Sequence, residues 1–301
     1  MIELSTIILF TYNRPWHTRQ TVEALQKNIL AIQSDLIIYS DAPKNGTVAN
    51  EVQQVRDYLK TISGFKSIKI IEKEENWGLA KSIISGVTEI VNSYGKVIVL
   101  EDDMVTSPYF LNYMNDALDR YENCEKVFGI TGFAYPIDTH NVPDAYFMKD
   151  EGCWGWSTWK RSWQFFEKDT DRLIKTFTPS MIKEFNFDNT TDFWTQVVMN
   201  QQGKINTWAI YWYATVFLNN GLFLHPKETF IVNIGHDGSD VHCDQTNEFD
   251  SPLIQTYDIA FPEKLEVCDT AREAHKEYFS SQTGHIHRMI RKLSSLVGLW
   301  R

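Results

Sequence analysis

The chain has 301 residues, 43% hydrophobic and 23% charged, an ordinary globular composition that excludes disordered and collagen-like classes. That length suffices for one large α/β domain or two small ones with a substantial core. A net charge of −10 disfavours non-specific nucleic-acid binding, because an acidic surface repels phosphate backbones. A diphosphate ligand would therefore need a local cation, from clustered Lys/Arg or from a metal held by carboxylates. Cys124, Cys153, Cys243 and Cys268 are widely spaced with no CxxC pair, and read as reduced thiols in a cytoplasmic setting. The first apolar run, residues 6–12, is too short for a signal peptide, and no stretch is long enough to span a bilayer.

In chain order, residues 7–10 form an apolar, β-branched run halted at Asn13-Arg14-Pro15, which predicts a buried parallel strand followed by a loop. A helix is predicted over about 16–28. A second strand at 36–39 ends at Ser40-Asp41, with turn chemistry in Pro43-Lys44-Asn45-Gly46. Residues 48–62 read as a helix with Val52, Val55 and Leu59 on one face. A third strand at 68–71 and a helix at 79–91 follow. The fourth strand, 97–100, runs directly into Glu101-Asp102-Asp103. Ser107-Pro108 predicts an N-cap and first position for a helix to about 121, and 127–131 a fifth strand. Beyond about 135 the alternation fades into an aromatic tract at 152–166, a helix at 192–201, and apolar runs at 222–224 and 230–234.

Strands alternating with helices predict a mostly parallel sheet covered on both faces, with ligands beyond the carboxyl ends of its strands. Thr11-Tyr12-Asn13-Arg14, Ser40-Asp41, Glu74-Glu75-Asn76 and Glu101-Asp102-Asp103 all fall at those ends. No G-x-G-x-x-G follows the first strand and no G-x-x-x-x-G-K-[ST] occurs, which argues against dinucleotide oxidoreductases and P-loop enzymes.

The acidic triplet is the most informative feature. Packed carboxylates repel one another and lose hydration, and a divalent cation compensates for both. Carboxylates combined with water and phosphate oxygens suit Mn²⁺ or Mg²⁺ rather than zinc. Strand alternation sends Glu101 and Asp103 to one side and Asp102 to the other, so one or two of them meet the metal. The alternative is a solvated acidic turn leading into the next helix.

These pieces, in this order, resemble the GT-A class of glycosyltransferases, which have a Rossmann-like nucleotide-sugar fold and a DxD-type metal motif. The resemblance is to the inverting N-acetylglucosaminyltransferase I-like group, which carries a Glu-Asp-Asp variant. It covers roughly residues 5–245 and also includes Asn76-Trp77-Gly78-Leu79-Ala80, Gly155-Trp156 and Asp192-Phe193-Trp194. It implies a mostly parallel GT-A sheet flanked by helices, with an acceptor-side subregion, and the residues themselves add a C-terminal amphipathic helix. A nucleotide-sugar-binding half would occupy 1–135, an acceptor-binding and base half 136–260, and a helical extension 261–301. Asp103 would hold the metal, with Glu101 and Asp102 on the sugar and ribose. Thr11, Arg14 and Asp41 would line the nucleotide pocket, and the stretch from Asn76 to Lys81 would meet the donor. Asp41 could equally be an Asx turn into Pro43, and Arg14 a surface ion pair.

An inverting transfer needs a base for the acceptor hydroxyl and charge stabilisation for the departing diphosphate. The resemblance points to Asp192 as base, with Asp188 as fallback. Asp192 could instead simply start a helix, where an acid is favoured. In the tract from Gly152 to Arg161, Trp154 and Trp156 are expected on a sugar or acceptor wall, and Trp159 and Trp163 in the core. The segment from Gly235 to His242 resembles a loop that orders over bound donor, and His236 or His242 could add a metal ligand. Lys276 to Arg301 reads as a basic amphipathic helix, either docked on protein or lying peripherally on the inner face of a membrane. The function implied is metal-dependent transfer from a nucleotide-sugar, a UDP-sugar, to a glycan or lipid-linked acceptor, as in bacterial surface-glycan synthesis. A sugar-nucleotide nucleotidyltransferase and a catalytically silent sugar-binding module remain the alternatives.

Overall fold

The computed structural model describes residues 4–237, 249 and 251–296, with side chains given up to residue 282. The first half alternates: β1 (Thr6–Thr11), α1 (Pro15–Gln26), β2 (Asp35–Ser40), α2 (Ala49–Leu59), β3 (Ser67–Glu72), α3 (Gly78–Tyr94), β4 (Lys96–Glu101), β5 (Met104–Thr106), α4 (Phe110–Arg120) and β6 (Val127–Thr131). The second half holds β7 (Ala145–Met148), β8 (Trp156–Trp159), α5 (Lys160–Trp163), α6 (Thr170–Thr176), α7 (Pro179–Phe185), α8 (Trp194–Gln201), α9 (Ala209–Leu218), β9 (Leu222–Pro226), β10 (Ile231–Asn233) and α10 (Asp269–Leu296).

One eight-stranded sheet, ordered β3-β2-β1-β4-β8-β6-β9-β7, runs through both halves. β1 to β4 pair in parallel, with Thr11 opposite Ser40 and Phe10 opposite Glu101, so their carboxyl ends share one edge. The apolar runs are buried on both faces, as parallel strands between helices must be. Ile7, Leu9, Ile38 and Leu100 pack on the α1 and α4 side, and Ile8, Phe10, Ile37 and Val99 on the α3 side.

The sheet is mixed beyond β4. β8 runs antiparallel between β4 and β6, β6 pairs in parallel with β9, and β7 closes the edge antiparallel to β9. β8 comes from Trp156-Ser157-Thr158-Trp159, inside the tract read as a ligand wall, and all four residues are buried. The helix expected from Ser107 starts at Phe110. Ser107 Oγ instead donates to the Ile254 carbonyl (2.7 Å) and accepts from the Tyr109 amide. β10 pairs with β5, Asn233 opposite Met104, which lays the chain before Gly235 directly against the end of the acidic triplet. Ala271, His275, Tyr278 and Phe279 are buried, so the first turns of α10 are docked on the protein. The side chains of 283–301, on which the membrane reading depends, lie outside the described residues.

Candidate active site

The end of β4 carries the triplet into a tight packing of charges. Asp102 and Asp103 are both 5% exposed. The Arg14 guanidinium, just past β1, bridges them, paired to Asp102 and at 2.8 Å from Asp103 Oδ2. Asp102 also accepts from the Tyr12 amide, and its carbonyl from Thr21 Oγ1. Burial opposes the charge on Arg14, but the two carboxylates outweigh it and raise its pKa. For Asp102 burial dominates and pushes the carboxyl up, with the guanidinium opposing it. Arg14 is thus an internal clamp rather than a surface ion pair. Asp102, expected on sugar or ribose, faces inward because its oxygens are taken up by Arg14 and the end of β1.

Asp103 is different. Among the described residues its Oδ1 is buried without a hydrogen-bond partner, and its carbonyl accepts from the Ile234 amide at 2.9 Å. A Cβ on Gly235 would sit 2.2 Å from Asp103 Oδ2, so any larger residue here would have to displace that carboxylate. An orphaned carboxylate oxygen at a strand end fits a divalent cation that takes its other ligands from phosphate and water. Among the described residues no three His, Cys, Asp or Glu side chains form a ready-made cage. A one-carboxylate site completed by its substrate needs none.

Asp41 lies at the end of β2, on the same edge of the sheet. Its Oδ1 accepts from the amides of Ala42 and Trp77, both at 2.9 Å. Its Oδ2 accepts from the Gly78 amide (2.8 Å) and Asn76 Nδ2 (3.1 Å). A carboxylate has about four lone-pair sites, and here all are filled. The expectation that Asp41 holds a nucleobase is therefore corrected: it ties the start of α3 to β2, where Gly78 takes φ +68°. Asp41→Ala is expected to cost about 2 kcal/mol, as for a lost helix cap, readable as a lower urea midpoint with unchanged slope. Thr11 is buried, its Oγ1 at 3.4 Å from the Tyr39 carbonyl. Lys81 stands on the exposed side of α3, its ammonium 4.2 Å from the Trp77 ring centroid.

Trp156, expected on the wall, is 1% exposed and stacks on Trp208 at 5.2 Å. Its place in β8, between β4 and β6, fills the core and leaves no face for a sugar. Trp159 and Trp163 are core residues, as the sequence predicts. Trp154 is half-buried, edge-on to Phe133 (4.6 Å), Phe249 (5.1 Å) and His236 (5.3 Å). It lines a cavity of about 160 Å³ with Tyr135, Glu151, Phe193, Gln196 and Tyr213. His242 lies outside the described residues.

Asp192 sits two residues before α8. Its Oδ1 accepts from the Thr195 amide at 3.1 Å and its Oδ2 from Thr195 Oγ1 at 2.6 Å. Its neighbour Phe193 lines the Trp154 cavity, which brings the chain of the candidate base to the same chamber. Asp188 is held by Arg272 (3.0 Å) and Lys276 (3.2 Å), whose hydrogen bonds outweigh its burial and lower its carboxyl pKa. That engagement removes it as a fallback base.

Glu151 escaped the sequence reading. Burial, then the charges of Asp150 and Glu101, push its carboxyl pKa well above the ordinary carboxylate range, which disfavours its ionised form. The only sequence signal was an acid just before a Gly- and Trp-rich tract.

The sequence profile described as "Glycosyl transferase family 2" matches residues 6–194, more than half of the chain. No curated protein sequence matches. Among solved structures, S. aureus TarS is similar at a TM-score of 0.40 and 12% identity, over 78% of this chain and 37% of that one. A second structure, S. aureus TarS 1-349, gives 0.40 and 11% identity over 76% and 59%. The mannosyltransferase PcManGT from Pyrobaculum calidifontis, in complex with GDP-Man and Mn²⁺, gives 0.41 and 12% identity over 72% and 68%. The chain thus spans less than two thirds of either TarS chain it matches.

Proposed function

The chain belongs to glycosyl transferase family 2, and from that membership we propose that it moves a sugar from a UDP-sugar to a glycan or glycolipid hydroxyl, with inversion at the anomeric carbon. Asp103 carries the reading: a buried carboxylate oxygen with no hydrogen-bond partner among the described residues, at the carboxyl end of the central strand, in a family-2 chain. A divalent cation bound there, Mn²⁺ or Mg²⁺, supplies positive charge for the departing diphosphate.

The remaining work falls to this chain's own residues. The nucleotide lies along the ends of β1, β2 and β4, against Thr11, Asn76 and Glu101. Arg14 fixes Asp102 and Asp103 so that the open oxygen keeps its aim. Asp192 takes the proton from the acceptor hydroxyl as its oxygen attacks the anomeric carbon. Trp154 offers a ring face to the sugar, and Glu151, which lines the same cavity, a hydrogen bond to one of its polar groups. The order of the motifs supports a likeness to the inverting N-acetylglucosaminyltransferase I-like group. In this reading residues 1–135 bind donor and 136–260 bind acceptor. A lipid-linked acceptor, as in bacterial surface-glycan synthesis, would bring the basic residues after 283 to the inner membrane face. Among the described residues no helix is long and apolar enough to cross a membrane.

The test is a thermal-shift panel of UDP, GDP, CDP and dTDP, each with Mn²⁺ or EDTA. UDP is expected to raise the midpoint only with Mn²⁺, growing with the logarithm of ligand excess. No shift with any nucleotide would sink the donor site. A shift that survives EDTA would favour a second reading, in which Arg14, already bridging Asp102 and Asp103, is the cation of the site.

A further inference from the structure

We infer that the C-terminal helix α10 positions the catalytic base, with Arg272 and Lys276 gripping Asp188 so that the turn over 186–192 presents Asp192; this rests on the reading of Asp192 as base.

The turn is one that the chain resists. Phe187, Asp188 and Asn189 take φ of 48°, 57° and 68° in succession, a left-handed run of three residues, none of them glycine. Asn and Asp tolerate that region and Phe does not, and the turn's own bonds from the Thr190 amide and Oγ1 to the Phe187 carbonyl leave strain for outside contacts to offset. α10 supplies them at both strained positions it can reach. Arg272 and Lys276 lie 3.0 and 3.2 Å from Asp188 Oδ2. Phe187 is buried, stacked on His275 (6.1 Å, 16°) and edge-on to Phe279 (5.2 Å).

The turn then passes its geometry to Asp192. The Asn186 carbonyl accepts from the Thr191 amide (3.3 Å), and Asn186 Oδ1 from the Trp194 amide (2.9 Å). Asp192 leaves this closed loop already bonded to Thr195. The base is thus fixed on one side by α8 and on the other by a turn that α10 keeps wound. α10 touches none of the reacting atoms in this reading, so Arg272 and Lys276 are positioning residues.

The experiment compares full-length wild type, the double variant Arg272→Ala/Lys276→Ala, Arg272→Lys and Asp192→Asn. Two readouts are taken: amide hydrogen exchange over 186–196, and kcat and KM for nucleoside diphosphate release. The donors are UDP-glucose, UDP-N-acetylglucosamine and GDP-mannose, with free hexoses and N-acetylhexosamines as acceptors. In the double variant the Trp194 and Thr195 amides are expected to exchange at least about tenfold faster, with β1 to β4 unchanged. A displaced base then lowers kcat about 100-fold at unchanged donor KM, and Arg272→Lys retains most of it.

Unchanged exchange over the turn overturns the inference. So does unchanged kcat in the double variant while Asp192→Asn is dead, or a kcat that falls only with the folded fraction. If Asp192→Asn itself turns over normally, the base reading fails, and exchange still reports whether α10 holds the turn. Should the double variant not fold, Asp188→Asn cuts the same link at a partly exposed position and is read by the same measurements.

Discussion

Asp103→Ala is expected to abolish the Mn²⁺-linked stabilisation by nucleotide while hardly moving the melting midpoint of the free protein. The two effects separate because the two oxygens of Asp103 have different surroundings. Oδ1 is buried and unpartnered, whereas Oδ2 shares Arg14 with Asp102. Removing the side chain relieves repulsion between two crowded carboxylates and costs one charged hydrogen bond, so stability changes by about 1 kcal/mol or less. Binding loses far more: at a hundredfold nucleotide excess the linked stabilisation is about 2.7 kcal/mol, and all of it should vanish. Asp102→Ala should behave in the opposite way. It takes away the carboxylate that receives both Arg14 and the Tyr12 amide, at a site 5% exposed. A cost of about 2 kcal/mol or more is expected, with metal-linked binding reduced only through the loosened Arg14. If Asp102→Ala lost metal-linked binding and Asp103→Ala lost stability instead, the roles of the two acids would be reversed.

The half of the fold that carries this site was legible because its strands are continuous apolar runs ended by polar residues. Residues 7–10, 36–39, 68–71 and 97–100 all lie within strands of the parallel group, and their carboxyl ends do share an edge. β8 was hidden because its ladder partners lie far along the chain and its residues are rings and hydroxyls rather than aliphatics. α9 was hidden for another reason: eight of its ten residues are buried, which erases the helical period that a one-sided helix shows. At the site, position was readable but engagement was not. Asp41, Asp102 and Arg14 stand where the strand ends put them, yet the partners that engage them across the site lie 35 to 90 positions away. Gly235 illustrates the same limit, since its closeness to Asp103 follows from the β5 and β10 pairing and no local pattern encodes it.

Asp192→Asn is expected to lower kcat by about 10² to 10⁴, the usual worth of a positioned base, while nucleotide binding and the melting midpoint stay near wild type. The choice of asparagine makes this decisive. Asp192 also caps the first turn of α8 through the Thr195 amide, and Asn caps about as well as Asp. Asn retains an acceptor for that amide but cannot take a proton at neutral pH, so the variant removes the base and leaves the cap. Asp192→Ala removes both, and should add about 1 kcal/mol of instability to the same loss of turnover. The competing carboxylates nearby are poor substitutes for opposite reasons. Asp188 is held ionised by Arg272 and Lys276, which would oppose its protonation. Burial and then its acidic neighbours raise the pKa of Glu151, which disfavours the ionised form that a base must start from. A base must be ionised before the step and able to hold the proton after it; among the described residues Asp188 is clamped by cations and the surroundings of Glu151 disfavour its charge, whereas the contacts of Asp192 are to Thr195 and Asn186.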